Sequence, residues 1–527
     1  MADDLGWNDV GYRNPKVKTP HLDALRAKGI ELIQSYATPQ CSMSRAALLT
    51  GRYPSNTGLQ VLVLQPEARQ CLPIEHKTLY EYMKDEGYTT KHLGKWHMGY
   101  CDGSCLPESR GIDEFRGVLG GTVTYFNWTT RGVVTRWVNG GPSIENIGTH
   151  LAIQDQKDAR EMILDHKNDP NPLFMWITPT APHDPLETTE EMFNVHDFLD
   201  PSDPELKSRR EYLVQSNGLH LSGLVSAFDD VVGVTMTALC DAGMEDNTII
   251  VFSSDNGGAD PSTEFPPFHH YANNYPLRNG KTTFMEGGVR VPTIYYDPRL
   301  RPTTRGTSRD FLMHITDWLP TFVQLAKPGP KSYGFTIAGI DGVSQLPNLG
   351  SVYNLPTRRK YNIRKEMLVA LTDQTNNPAT ASSCATEDAS YRWKNYKLIY
   401  GDQYYVTDPT LKPTSWVKPQ ESPELPDITG DDCHRIVDGR RVVRCLFNVI
   451  DDPSETTNLY DQKPGLVARM LRKIDDAKRA AVQSVYEITI GATNITTQPF
   501  GNYIVPRHDY CIPSVDFPLE PIDPICY

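Results

Sequence analysis

Thr248-Ile249-Ile250-Val251-Phe252-Ser253-Ser254-Asp255-Asn256-Gly257-Gly258 decides the fold. Its apolar, β-branched half reads as a buried strand, and polar residues gather directly past the strand end. In open α/β sheets ligands bind there, outside the carboxyl ends of the strands. Before it, Leu221, Leu224, Val225, Phe228, Val231 and Val232 recur at helical spacing, and Gly243 breaks the helix. The same strand-then-polar pattern recurs upstream. Tyr88 to Leu93 is strand-like and delivers Gly94-Lys95-Trp96-His97 into a loop. Leu173 to Ile177 reads as a fully buried strand, and Thr178 to Pro185 leaves the sheet as an irregular loop carrying His183.

Helices fill the spaces between these strands. Thr19-Pro20 opens one that runs through Leu22, Ala24 and Leu25, with Gly29 as a left-handed stop and a strand from Ile30 to Tyr36 after it. A second runs from Thr78 to Asp85 and stops at Gly87. The alternation predicts an α/β fold with a mostly parallel sheet covered on both faces. Lys327-Pro328-Gly329-Pro330 marks a linker or surface excursion. Further on, the chain is loop-rich, with short strands at 392–400 and 442–448 and a helix over 465–483. The expected division is a catalytic domain over 1–380 and a smaller α+β domain over 381–527.

The 527 residues suffice for a large buried core without help from disulfides or metals. Fifty-two basic against 65 acidic residues leave a net charge of −13, which excludes a generally basic nucleic-acid-binding face. An anionic substrate must therefore be caught in a local pocket. No apolar run of the ~18 residues that spans a bilayer is read in the sequence. Ten scattered cysteines and two Asn-x-Thr sequons, at Asn127 and Asn494, point to the secretory pathway, secreted or lysosomal, although no signal segment is visible.

Asp3-Asp4 and Asp255-Asn256 offer the oxygen ligands that hard cations prefer. Cys41 heads a short apolar helix stopped at Gly51, where backbone amides favour an anion, and the four-residue spacing sets Arg45 on the same side. Lys95 and His97 alternate in what reads as an extended loop and so face one ligand. His183 lies among prolines, and Lys281 lies in Gly280-Lys281-Thr282-Thr283. Taken singly, each has a bland reading: a solvated turn, a disulfide cysteine, a basic patch, a loop histidine, a solvated lysine.

The ordered combination says more. Ala2-Asp3-Asp4, Cys41 to Arg45 with Leu48-Leu49-Thr50-Gly51-Arg52, Gly94-Lys95-Trp96-His97, Ala181-Pro182-His183, Ser254 to Gly258 and Glu286-Gly287-Gly288-Val289-Arg290 follow one another along the chain. In this order they closely resemble the type I sulfatases, and the segment from Tyr53 through Gly117 looks most like the arylsulfatase B branch. The resemblance implies an alkaline-phosphatase-like fold, with a central mixed sheet between helices and a C-terminal domain on a four-stranded antiparallel sheet. It implies hydrolysis of sulfate esters, of a sulfated carbohydrate or an aryl alcohol. Cys41 would be oxidised to formylglycine by the formylglycine-generating enzyme. One hydroxyl of the hydrated aldehyde attacks sulfur, and the covalent sulfate ester collapses as the second hydroxyl loses its proton. By the same resemblance Asp3, Asp4, Asp255 and Asn256, with the modified Cys41, look like ligands of one Ca2+ per chain. Arg45, Lys95 and Lys281 would hold the sulfate, His97 would position the hydrate and take its proton, and His183 would protonate the leaving alcohol. Cys71 and Cys105 look like a disulfide; without Cys41 nine cysteines remain, an odd number, and Cys240 is the candidate unpaired thiol.

Two departures from the family pattern stand out. Met43 occupies a place where the family's modification signal has proline or alanine, which leaves conversion of Cys41 open. Relatives also carry an apolar strand directly before the Asp-Asp pair, so the natural gene product is expected to begin upstream of Met1. Two other readings stay open at this point. One is a catalytically silent sulfatase-like protein that binds extracellular glycans or matrix. The other is a phosphoryl or phosphonate hydrolase on the same fold, for which two zinc ions held by histidines would be expected instead of Asp and Asn oxygens.

Overall fold

The computed structural model describes residues 1–60, 63–66, 68, 70–194, 218–259, 272–327, 335–349, 363–373, 387–401, 433–437 and 440–482. Asn494, and positions 328–330 of the expected linker, lie outside these residues. The main elements, in chain order, begin with α1 (Pro20–Lys28), β1 (Ile30–Leu32), α2 (Cys41–Thr50), α3 (Leu79–Asp85), β2 (Thr89–Lys95), β3 (Glu114–Val118), β4 (Arg136–Val138) and β5 (Gly141–Pro142). They continue with α4 (Leu151–Asp165), β6 (Leu173–Thr178), α5 (Gly218–Ala242), β7 (Ile250–Ser253), β8 (Thr293–Tyr296), β9 (Thr307–Arg309) and α6 (Trp318–Ala326).

These strands form two half-sheets of order β5-β4-β3-β2-β6 and β7-β8-β1-β9. The pairing is mixed: β2 runs parallel to β3 and β6, and β1 parallel to β9, while β8 is antiparallel to both β7 and β1. Residues 1–2 join the halves, because the Met1 ammonium donates to Ile177 O at 2.7 Å and Ala2 N donates to Ser253 O at 2.8 Å. One face packs on α2, α3 and α6 through Leu49, Tyr80, Trp96, Trp176 and Trp318. The other packs on α1 and α5 through Leu22, Leu25, Val225, Phe228 and Ile294.

Several local expectations needed correction. Leu173 to Ile177 is only half-buried, because β6 and β7 flank a cavity of about 870 Å³ lined by Phe174, Trp176, Phe228 and Phe322. Gly29 is extended rather than left-handed; a Cβ there would lie 2.7 Å from Tyr295 O, so glycine serves close packing on β8. Helix α1 draws its cap from α5 instead, where the Asp229 carboxylate accepts from His21 N and Leu22 N at 2.9 and 2.8 Å. The strand expected over Ile30 to Tyr36 is broken by a turn at Ile33-Gln34. The stretch His220–Ala242 is long and apolar enough by length and composition to span a membrane, but 61% of its apolar window is buried in the fold.

The remaining elements are β10 (Glu366–Asp373), β11 (Glu387–Trp393), β12 (Tyr396–Gly401), β13 (His434–Val437), β14 (Arg440–Asn448) and α7 (Pro464–Ala480). They build an antiparallel sheet of order β10-β11-β12-β14-β13, five strands where four were expected, and its first strand lies ahead of residue 380. The run at 392–400 is a hairpin rather than one strand, turning at Lys394 with φ +53°. Val467, Met470 and Ile474 of α7 cover Leu371, Tyr391 and Leu446 of this sheet.

A buried charge cluster ties the two parts together. Lys397 Nζ lies 2.9 Å from Glu286 Oε1 and 2.6 Å from Glu455 Oε1, all fully buried. Burial outweighs the pull of Lys397 and pushes Glu455 up to about 7; burial likewise pushes Asp155, in α4, up to about 7. Both carboxyls keep a proton in the native state that the unfolded chain has already released. Their contribution is complete below the ordinary carboxyl range and is lost as pH rises through about 7. The buried histidines act in the opposite direction over this interval, so the carboxyl contribution is read as a difference: from pH 5.5 to pH 8, Asp155→Asn is expected to gain melting temperature relative to wild type. A gap between the two proteins that does not change with pH would contradict the assignment.

Candidate functional site

Six segments remote in sequence meet beyond the ends of β2, β6 and β7. Asp3 and Asp4 follow directly on the residues that join the half-sheets, and Asp4 adopts φ +65°, a left-handed conformation that Asp tolerates better than most residues. Cys41 is the first residue of α2; Arg45, one turn later, lies on the same side, and Gly51 ends the helix with φ +65°. Lys95 is the last residue of β2 rather than a loop residue. His97 has φ +55°, so the expected extended alternation does not hold, and the backbone turn brings its ring against Gly121 instead. A Cβ on Gly94 would lie 2.1 Å from Thr178 O, so only glycine lets β2 and β6 close at this point.

The structure joins nine of the ten expected residues by direct contacts, and His97 lies near enough to Lys95, Arg45 and Asp3 to feel their charge; each is buried or nearly so. Cys41 Sγ lies 3.5 Å from Asp3 Oδ1 and 3.9 Å from Asp4 Oδ1. Lys95 Nζ pairs with Asp3 Oδ2 at 2.7 Å, and Lys281 Nζ pairs with Asp4 Oδ2 at 2.7 Å. Arg45 Nε and Nη2 both donate to Asp255 Oδ2, at 3.0 and 2.9 Å. Asn256 Nδ2 donates to Asp4 Oδ1 at 2.7 Å. His183 Nε2 stands 3.2 Å from Lys281 Nζ and 3.6 Å from Asp4 Oδ2.

Burial and charge set the protonation states. Burial pushes the Asp3 carboxyl up, but Lys95, followed by His183 and Arg45, more than offsets this and holds it below the carboxylate range. Asp4 behaves alike, with Lys281 as its strongest partner. Burial and then Asp255 push the Cys41 thiol well up, so it stays protonated and is a poor nucleophile as it stands. Burial, then Lys95 and Arg45, drive His97 well down and keep it neutral. Its Nε2 faces Leu64 O at 3.1 Å and must carry the hydrogen, which leaves Nδ1 a bare acceptor. His183 Nδ1 likewise donates to Asp184 O at 2.7 Å, so Nε2 is the ring atom that faces the site.

The donor set fits a hard cation. Asp3, Asp4 and Asp255 supply carboxylate oxygens, and Asn256 Oδ1 is buried without a partner among the described residues. Ligand atoms of Asp3, Asp4, Cys41 and His183 all fall within 4.8 Å of one another. Three carboxylates (−3) against Arg45, Lys95 and Lys281 (+3) sum to zero, so a divalent ion would leave the site at +2, a charge that suits an oxyanion.

Sequence reading missed the supports behind these groups. Tyr125 donates from its hydroxyl to His183 O at 2.9 Å, and Ser254 Oγ accepts from Leu5 N at 3.1 Å. Tyr125 carries no motif, and Ser254 opens the Ser254 to Gly258 word without a role of its own being legible there. The Cys71–Cys105 disulfide is present, Cys433–Cys445 is a second, and Cys240 is an exposed thiol.

Residues 1–328 match the sequence model of the family described as Sulfatase. The chain is 29% identical over 498 residues to arylsulfatase J of Mus musculus, covering 92% of this chain and 76% of that one. It is 30% identical over 362 residues to arylsulfatase A of Homo sapiens, covering 65% of each. Among solved structures it is similar to Ps i-CgsB in complex with k-i-k-neocarrahexaose, with a TM-score of 0.68, 26% identity and 92% of both chains covered.

Proposed function

Given that the chain belongs to the sulfatase family and is a hydrolase of sulfate esters, we propose that it cleaves sulfated glycans at this site, using one Ca2+ and a formylglycine made from Cys41. The observation that carries the reading is the convergence on Cys41 of three carboxylates and an unpartnered amide oxygen, balanced by three cations. A glycan substrate is supported by the carbohydrate complex of Ps i-CgsB.

When bound, the ion polarises an oxyanion and lowers the pKa of a neighbouring hydroxyl, and the oxidised residue 41 supplies the hydroxyl that attacks sulfur. The chain's own groups do the rest. Arg45, Lys95 and Lys281 hold the sulfate oxygens as negative charge moves to the leaving group. His97 Nδ1, neutral and bare, takes a proton from the hydroxyl at position 41. His183 in its doubly protonated form gives the Nε2 proton to the departing sugar oxygen while Nδ1–H stays on Asp184 O. Two disulfides and an exposed sequon asparagine, Asn127 in a turn, support maturation in the secretory pathway, where the formylglycine-generating enzyme would act. The test is release of sulfate from a chromogenic aryl sulfate and from sulfated oligosaccharides, with and without a chelator. No release from either, at full Ca2+ occupancy and full conversion of Cys41, would end the reading.

Met43 takes no part in the folded site. It is 3% exposed and lines a small cavity with Tyr53, Phe284 and Val369. Its effect is confined to the unfolded chain, where the modifying enzyme reads the signal. Met43→Pro is expected to raise the converted fraction of Cys41, since proline fits the first turn of a helix and restricts the extended chain. The lost side chain would cost about 2 kcal/mol of stability. Weighing the tryptic peptide that ends at Arg45 measures conversion, and an unchanged fraction would refute the point.

A further inference from the structure

We propose that Tyr80, His92 and Thr178 form a hydrogen-bond relay that positions Arg45 and Lys95 from behind, making His92 a positioning residue that never meets the substrate. The inference rests on the hydrolase reading of the site. Its geometry is fixed by counting hydrogens. Thr178 Oγ1 lies 2.9 Å from Lys95 O, 3.2 Å from Leu93 O and 3.0 Å from His92 Nε2. A hydroxyl has one hydrogen, and a carbonyl only accepts, so Thr178 donates to the backbone and accepts from His92. His92 Nε2 therefore carries the ring hydrogen, and Nδ1 accepts from the Tyr80 hydroxyl at 2.6 Å. Every donor points the same way, from α3 toward the site.

The relay ends on a peptide group that matters twice. Lys95 O, its terminus, also accepts from Arg45 Nη1 at 2.7 Å. The same residue's ammonium holds Asp3, and the other nitrogens of Arg45 hold Asp255. One carbonyl thus sets the place of two cations that grip the sulfate. Around the relay the core is apolar: the His92 ring sits 5.9 Å from Trp96, 5.2 Å from Phe115 and 5.2 Å from Trp176, and it is fully buried. Hydrogen bonds in such surroundings are strong and polarise one another. Burial, reinforced by Arg45, pushes His92 down to about 3, so the ring stays neutral at working pH and acts by direction, not by charge.

Conservative variants separate positioning from bulk packing. His92→Leu removes donor and acceptor, whereas His92→Gln keeps an N–H for Thr178 and loses only the link to Tyr80. Turnover of an aryl sulfate is measured per converted Cys41, alongside KM, melting temperature and the pH profile. His92→Leu is expected to lower kcat by about 10- to 100-fold, the range typical of groups that orient a ligating shell, with KM changed far less and both limbs of the pH profile in place. His92→Gln is expected to recover most of the loss. Should His92→Leu fail to fold, Thr178→Val is expected to reproduce its kcat and Thr178→Ser to match wild type. Folded His92→Leu or Thr178→Val with wild-type kcat would overturn the relay, as would a His92→Gln as slow as His92→Leu. Wild-type protein that releases no sulfate would sink the hydrolase reading itself, a different result from active wild type with unaffected variants.

Discussion

Cys41→Ala is expected to lose turnover to background, on the order of 10⁶-fold, the scale of removing a nucleophile outright. The fold should survive. Cys41 is 1% exposed but small, its sulfur makes only long contacts to Asp3 and Asp4, and alanine suits the first turn of α2. Stability should change by about 1 kcal/mol or less. Ca2+ should still bind through Asp3, Asp4, Asp255 and Asn256, which calorimetry with the ion alone would register. Retained turnover in this variant would show that the chemistry does not pass through position 41.

Asp255→Ala is expected to remove both metal uptake and activity. Its carboxylate is fully buried, and it is the partner of Arg45. Removing it takes a charged oxygen from the cation site and leaves the guanidinium buried with Asp3 Oδ2 at 3.9 Å as its nearest remaining carboxylate. Breaking such a pair costs about 3 to 5 kcal/mol, so a lower melting temperature should accompany the loss of function. Asp255→Asn separates the two effects, because the isosteric amide refills the volume while the charge stays missing. Full activity with normal Ca2+ affinity in Asp255→Asn would remove Asp255 from the cation site.

How much of this was legible depended on the kind of signal. Helices with a strong start or stop were readable from sequence: α2 between Cys41 and Gly51, and α3 after Thr78, whose hydroxyl and Glu81 form a capping box. The strand before Asp255 was readable because polar residues follow it at once. Lys95 and Gly29 were misplaced for one reason. Where a strand ends and why a glycine is needed both depend on a neighbour distant in sequence: β3 and β6 for Lys95, Tyr295 for Gly29. The hairpin at Lys394-Asn395 was hidden because a lysine, where glycine is usual, takes the left-handed position of its turn. The ten site residues could be named because each sits in a short ordered word. Tyr80, His92 and Thr178 could not, since their hydrogen bonds cross 12 and 86 residues of sequence and leave no local pattern.

Sulfate release is expected to depend on an oxidised residue 41. Preparations made with different amounts of the oxidising enzyme give different converted fractions in the peptide ending at Arg45, and initial rates of aryl sulfate cleavage can be plotted against that fraction. The expected result is a straight line through the origin at saturating Ca2+. A substantial rate at zero conversion, or no rate at full conversion, would contradict it.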